Sequence, residues 1–221
     1  MIHFFLIFVA VTAATAFECY PSTCRGYMHT LCQYSSWYPS SSCGTIHSNT
    51  LTSQEIYDLL KIHNDKRAFV ASGSEMRGST GPQPAGIIPP LQWDYELAEI
   101  AQKWADQCRF GHDSCRDVDR FPVGQNVAKM MHSDGYNIRL SDLVQLWYDE
   151  VQDFDSRSVY NFGWQSYPQI GHYSQLIWGE TTHVGCAGIR YVGYDGWYTT
   201  YLVCNYGPSG NWIGRPVYYT Y

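Results

Sequence analysis

Apolar positions recur along this chain in two rhythms, one helical and one alternating. From residue 52 the rhythm is helical. Ile56, Leu59, Leu60 and His63 fall three and four apart, and Thr52-Ser53-Gln54-Glu55 ahead of them is a capping-box pattern. The spacing predicts a second helix capped by Asp94, with Leu97, Ile100, Ala101, Trp104 and Cys108 on its inner face. It predicts a third capped by Ser141, with Leu143, Leu146, Trp147 and Glu150 on one stripe. Gly, Pro and Ser dominate residues 72–90 and mark a loop. Toward the end, Ile189-Arg190-Tyr191 and the run from Trp197 to Val203 flank Gly193-Tyr194-Asp195-Gly196, a hairpin signal. Cys186 and Cys204 stand nine residues either side of Asp195, so a regular hairpin makes them near cross-strand partners, and they are expected to pair. Helices and strands mingle without a βαβ rhythm or a repeat. The fold class is therefore α+β, with helices around an antiparallel sheet.

The first fifty residues follow neither rhythm. Phe4 to Val11 is apolar and Ala14-Thr15-Ala16 follows it, so residues 1–16 are expected to be a signal peptide, with a weak n-region that holds His3 but no Lys or Arg. The run is too short to span a bilayer and no later segment approaches that length, so no transmembrane segment is expected. The mature chain should begin near Phe17 and be secreted, soluble and extracellular. Residues 17–50 hold half the cysteines with many Ser, Tyr and Pro, and form an N-terminal extension that cannot bury a core of its own; residues 51–221 form the main domain. All eight cysteines follow the signal segment, and an even number in a secreted chain implies disulfides. With no Cys-x-x-Cys pair, a zinc knuckle or thioredoxin-like motif is not expected. There is no Asn-x-Ser/Thr acceptor for N-glycosylation. The net charge of −6, without any Lys/Arg run, makes nucleic acid, heparin and anionic membranes poor partners. An apolar content of 45% suffices for one core in one domain, and a monomer is expected.

A few polar residues stand in apolar company. Glu150 shares a stripe with Leu143, Leu146 and Trp147, which is costly for a carboxylate unless it is paired, hydrogen-bonded or liganded. His172 sits between a glycine and a run that is otherwise aromatic, apolar or uncharged, Gly171 to Trp178. His112 lies between Cys108 and Cys115, and His63 on the inner stripe of the first helix, where a packed, hydrogen-bonded core role is expected. A structural role is the default for each histidine, as a salt bridge or loop cap is for Glu150. No Gly-x-Ser-x-Gly elbow, His-Glu-x-x-His, P-loop or Gly-x-Gly-x-x-Gly occurs, no spacing marks a catalytic triad, and oxidised cysteines leave no thiolate nucleophile.

Several segments together resemble one family. Gly171 to Trp178 resembles the first signature of the CAP superfamily (cysteine-rich secretory proteins, antigen 5 and plant pathogenesis-related 1 proteins), and Tyr201 to Trp212 the second. His63-Asn64-Asp65-Lys66-Arg67 resembles the family's H-N-x-x-R helix. Gly111 to Val118 and Val123 to Ala128 resemble the insect venom allergen 5 branch, as does the extension with Cys19, Cys24, Gly26, His29-Thr30, Cys32 and Tyr34. The resemblance implies a three-layer α-β-α sandwich carrying a cystine-rich extension. It also implies the bridges Cys19–Cys32, Cys24–Cys115, Cys43–Cys108 and Cys186–Cys204. It implies a central cleft lined by His112, His172 and Glu150, with Gln125 standing where the family has a second acidic residue. Two imidazoles remain to bind zinc or copper, with Glu150 orienting one of them; no cofactor is required, and three protein ligands would be needed for a firmly held catalytic metal.

The resemblance implies a secreted antigen 5-like effector of venom, saliva or haemolymph, non-enzymatic, binding small lipids such as fatty acids, sterols or eicosanoids, and acting against host haemostasis or inflammation. Two other readings stand beside it. One is a metal-dependent hydrolase using His112 and His172 with Glu150 as general base. The other is a module that binds a host receptor or ion channel. Arg25-Gly26-Tyr27 lacks the aspartate of an Arg-Gly-Asp integrin motif, so integrin binding is not expected.

Overall fold

The computed structural model describes Cys19 and residues 21–221; the expected signal peptide, residues 1–16, lies outside the described residues. Two long strands form the spine. β5 (His183–Val192) and β6 (Tyr198–Gly207) pair antiparallel over their whole length, and β4 (Gly124–His132) pairs with the far side of β6. On the other side, β1 (Thr45–Ser48) pairs antiparallel with β5, and the two-residue β3 (Gln92–Trp93) joins β5 in parallel. The order is β1-β5-β6-β4. Thr45–Ser48, within the segment expected to be an extension, thus supplies an edge strand of the central sheet. A separate ribbon joins β2 (Gly86–Ile87) to β7 (Tyr219–Thr220).

Alternation along the strands sorts the core into two. Val184, Cys186, Leu202, Cys204 and Tyr206 face one way, and Ala187, Ile189, Tyr191, Tyr201 and Val203 the other. Against the first face pack three helices: α2 (Ser53–Ala71), α4 (Leu140–Asp149) and α5 (Gly171–Ile177). Against the second packs α3 (Tyr95–Ala105). The result is the expected α-β-α arrangement. α3 lies very close to the sheet because Gly185 faces it: a Cβ there would stand 2.3 Å from the Ala98 nitrogen and 2.4 Å from the Asp94 carbonyl oxygen. Ala101 is sealed in that interface, while Leu97 and Ile100 are buried with Val118 and Val123, and full burial of a Leu or Ile side chain contributes roughly 1.5–3 kcal/mol.

Helix starts follow local chemistry. The α2 capping box forms as expected: Thr52 Oγ1 accepts from the Glu55 N–H at 3.2 Å, and Glu55 accepts from the Thr52 N–H at 2.8 Å. Asp94 caps α3, accepting from the Leu97 N–H at 3.0 Å. α4 departs from expectation. Its N-cap is Arg139, with Asp142 reaching back to the Arg139 N–H at 3.1 Å, so Ser141 lies inside the first turn. Leu146 faces outward, 48% exposed, and Val144 and Tyr148 join Leu143 and Trp147 inside. Cys108 also falls off the predicted α3 face. The helix ends at Ala105, and Cys108 takes a left-handed backbone, φ 52°. It is held there by its bridge to Cys43.

The four bridges are Cys19–Cys32, Cys24–Cys115, Cys43–Cys108 and Cys186–Cys204, the set implied by the resemblance. Cys186 and Cys204 stand directly opposite each other in the β5–β6 register. The extension contributes a one-turn helix, α1 (Thr30–Gln33), after a fully buried His29 that burial holds neutral, its pKa lowered. The Thr30 N–H donates to the Cys115 carbonyl at 2.9 Å, and its hydroxyl donates to Asp113. The extension is therefore fastened to the segment that carries His112.

Candidate functional site

Four residues singled out in the sequence meet as two pairs. His172 opens α5 and pairs with Glu150, which begins the turn after α4. One Glu150 oxygen accepts from His172 Nδ1 at 2.6 Å. The other accepts from the backbone N–H groups of His172 and Tyr173 at 2.9 and 3.0 Å. Ile170, the N-cap of α5, offers no side-chain acceptor. Glu150 fills that role from outside the helix, where an anion is favoured. This explains its place among apolar neighbours: both oxygens are occupied. Trp147 lies nearly parallel to the imidazole, ring centroids 5.9 Å apart.

His112 pairs with Gln125 on β4. The Gln125 amide nitrogen donates to Asp113 at 3.1 Å and to Asn205 at 3.0 Å, which turns its oxygen toward His112 Nδ1 at 2.8 Å. Nδ1 must therefore be the protonated nitrogen. The His112 pKa is lowered, first by desolvation, then by the charges of Arg116 and His172, against the raising effect of the Gln125 hydrogen bond. The His112 loop is gripped from behind: Trp104 Nε1 donates to the Gly111 carbonyl at 2.7 Å, and Arg116 is tied to Asp113. The bridges at Cys108 and Cys115 bracket it.

His63 takes the core role expected of it. It is fully buried, bonded to the Leu59 carbonyl at 2.7 Å and the Tyr206 hydroxyl at 2.8 Å, and desolvation lowers its pKa to about 4. Arg67 is a buried cation with carbonyl partners. It donates to Pro89, Leu176, Trp178 and Thr181 at 2.8–3.0 Å, tying α2 to the end of α5. Asn126 joins the same support, donating to the His172 carbonyl at 3.0 Å.

Residues 60–206 match the family model described as the cysteine-rich secretory protein (CAP) family. The chain belongs to that family. Venom allergen 5 of Brachyponera chinensis is 46% identical to this CAP chain over 197 residues, 87% of this chain and 98% of the relative. Venom allergen 3 of Solenopsis invicta is 44% identical over 215 residues, 95% and 92%. Among solved structures, BmVAL-1 shares the fold with a TM-score of 0.66 at 24% identity, covering 80% of this chain and 87% of that one. A crystal structure of NaASP2 with Zn2+ gives 0.64 at 24%, covering 80% and 90%. The antigen 5-like resemblance read from the motifs is thus carried by relatives along most of the chain.

Metal ligation can be tested on the donors of this candidate site. Each imidazole has Nδ1 committed to a fixed acceptor, which leaves Nε2 as its ligand atom. Gln169 already points its amide nitrogen at the His172 ring, 3.5 Å from Nε2. Glu150 has both oxygens in use, and a neutral amide stands at 125. Among the described residues, no group of three or more His, Cys, Asp or Glu side chains is arranged to hold a metal ion. Two imidazoles alone do not fit a firmly held catalytic metal.

Asp113, Asn205 and Arg116 were not singled out in the sequence, although they fix Gln125 and His112. The available signals were adjacency: Asp113 follows His112, and Asn205 follows Cys204 within the second signature.

Proposed function

We propose that this CAP protein is a secreted antigen 5-like effector that acts by binding rather than by catalysis, with a small anionic lipid, a fatty acid or eicosanoid, as its ligand. The observation that carries the reading is a cavity of about 750 Å³ between α2 and α4, lined by Ile62, Phe69, Met76 and Tyr148 on its apolar side and by Lys66, Arg77, Asp65, Glu75, Ser74 and Gln145 on its polar side. That volume lies within the range of roughly 300–1,000 Å³ typical of ligand sites. Phe69 and Met76 leave 45% and 69% of their surface open. Arg77 is engaged by Glu75 and Asp149. Lys66 instead rests 4.5 Å over the Tyr148 ring and has no carboxylate at ion-pair distance among the described residues. An acyl chain along the apolar wall would bring its carboxylate to that ammonium group.

Secretion is supported by four disulfides, which persist in oxidising compartments. No described helix is long and apolar enough to cross a membrane. Similarity to venom allergens supports a venom or salivary role, in which sequestering a lipid mediator would act on host inflammation or haemostasis. The hydrolase reading draws no support from a site whose Glu150 has both oxygens engaged.

Organic extraction of the purified protein followed by mass spectrometry tests the proposal, with uptake of fatty acid, leukotriene and sterol measured in parallel. Stoichiometric lipid, with fatty-acid uptake weakened by Lys66→Glu, is expected. Absence of bound lipid together with no uptake removes the lipid reading, and uptake of sterol alone replaces the ligand class.

A further inference from the structure

A cavity of about 400 Å³ opens on the cystine-pinned extension, between residues 33–41 and Gln107 just past the end of α3. Its lining is chemically uniform. Every lining residue except Pro39 carries a neutral hydroxyl or amide, and none is charged. Much of this hydrogen-bonding capacity is unspent. The side chains of Gln33, Tyr34, Ser35 and Ser41 make no hydrogen bond among the described residues, and Gln107 spends only its amide nitrogen, on the Lys103 carbonyl at 2.8 Å. These groups are open to solvent: Gln33, Ser35 and Ser41 are exposed, and no polar side-chain atom of the lining is buried without a partner. Two tyrosines add ring surface. Tyr34 is held against Trp104 with centroids 5.8 Å apart, and Tyr38 is 82% exposed. The frame around them is fixed. Cys32 and Cys43 bracket it through bridges to Cys19 and Cys108. The Ser40 N–H donates to the Asp106 carbonyl at 2.8 Å, Lys103 Nζ to the Ser36 carbonyl at 2.9 Å, and the Ser42 hydroxyl to the Gln107 carbonyl at 3.0 Å.

We propose that this cavity binds a neutral carbohydrate, with the C–H face of one pyranose ring on Tyr38 and its hydroxyls on Ser35, Ser41 and the Gln33 and Gln107 amides. A sugar hydroxyl both donates and accepts, as the hydroxyls and amides of this wall do. A charged ligand would meet no counter-charge. The nearest charged groups lie outside the lining and are occupied, Lys103 by Ser36 and the Trp37 ring, and Asp106 by Gln102 and Asn49. An apolar anchor of a protein partner would need a desolvated apolar pocket, and only Pro39 and the tyrosine rings supply such surface here. Tyrosine faces combined with serine hydroxyls provide amphipathic contact at low entropic cost, and the cystine frame lowers the cost of ordering further. The inference is independent of the lipid reading, because this cavity shares no lining residue with the one between α2 and α4.

The disulfide-intact protein is tested on a printed panel of neutral oligosaccharides ending in glucose, galactose, mannose or N-acetylglucosamine, beside sialylated and sulfated counterparts. Saturable binding to at least one neutral terminus is expected, with the acidic counterparts at least about ten-fold weaker, a difference of about 1.4 kcal/mol. The best-bound neutral oligosaccharide is then titrated calorimetrically. Tyr38→Ala should weaken it about ten-fold, as for loss of an aromatic contact, and Gln33→Ala about three-fold, as for loss of a neutral hydrogen bond. Both side chains are exposed, and thermal unfolding confirms that the variants fold. Lys66→Glu, in the other cavity, should leave the affinity unchanged. Binding of no neutral member, acidic members bound as tightly as neutral ones, or an affinity indifferent to Tyr38→Ala in a folded protein would each overturn it.

Discussion

The two histidines of the candidate site are held in opposite ways. His172 is seated by charge and by buried helix packing: a carboxylate takes its Nδ1 and backbone N–H, and Arg67 anchors the far end of its helix. His112 is seated by cross-links and a neutral amide: two cystines bracket its loop, and Gln125, itself fixed by Asn205 and the Asp113 carboxylate, meets its ring. One wall of the candidate site rests on a carboxylate and the other on cross-links. The candidate site therefore has two separate points of failure.

The widest separation between the walls should come from removing a cross-link. Cys43→Ser with Cys108→Ser should lower stability by about 2–5 kcal/mol, and amide exchange should accelerate around Gly111–Cys115 more than across α5. Equal acceleration in both regions would show that the walls are not independently held. Next is Glu150→Ala, which strips the acceptor from two N–H groups and Nδ1 at the start of α5. A loss of about 1–3 kcal/mol is expected, the usual cost of stranding buried donors, with the His112 resonances unmoved in an NMR comparison.

The third prediction concerns pH. His63 stands behind the His172 wall through Tyr206 and Asn126. Its folded pKa of about 4 lies below the ordinary histidine value of 6.5. Between those values the unfolded chain holds a proton on this side chain that the folded chain does not. Stability from this group is therefore complete above 6.5 and falls as pH drops toward 4, by about 1.4 kcal/mol per pH unit. Urea unfolding at several points within that window should give a slope shallower by about that amount in His63→Gln. An identical slope would mean that His63 titrates alike in both states. The smallest effect is expected from Gln125→Glu. A carboxylate beside Nδ1 should raise the His112 pKa in an NMR titration and leave His172 where it was, at some loss of stability because the bond to Asp113 is replaced by repulsion. A His112 that does not move would show that Gln125 does not set its protonation.

The sequence conveyed the parts of this molecule that are local. The α2 capping box, the Asp94 cap and the β5–β6 hairpin follow from spacings of a few residues, and each formed as read. Where a cap was inferred from one favourable residue, Ser141, a competing local arrangement between Arg139 and Asp142 prevailed, and the buried stripe runs through Val144 and Tyr148 rather than Leu146. The Glu150–His172 contact was legible only as two anomalies, because residues 22 apart meet through packing that no local rhythm encodes. Asp113 and Asn205 were less visible still. A polar residue that serves another polar residue leaves no break in the apolar pattern. The edge strand Thr45–Ser48 was hidden for a related reason: its surroundings looked like loop, and its partner strand lies far along the chain.

The two cystines beside His112 also shape how the protein meets a protease. Trp37 and Tyr38 are 86% and 82% exposed, in the stretch between Cys32 and Cys43. A cut there would release nothing: the upstream piece stays bound through Cys24 to Cys115, and the downstream piece is held through Cys43 to Cys108. The nicked molecule would migrate as one species without reductant and as two with it. In digestive or inflamed surroundings, cleavage at its most open aromatic pair would leave the surface around the cleft assembled.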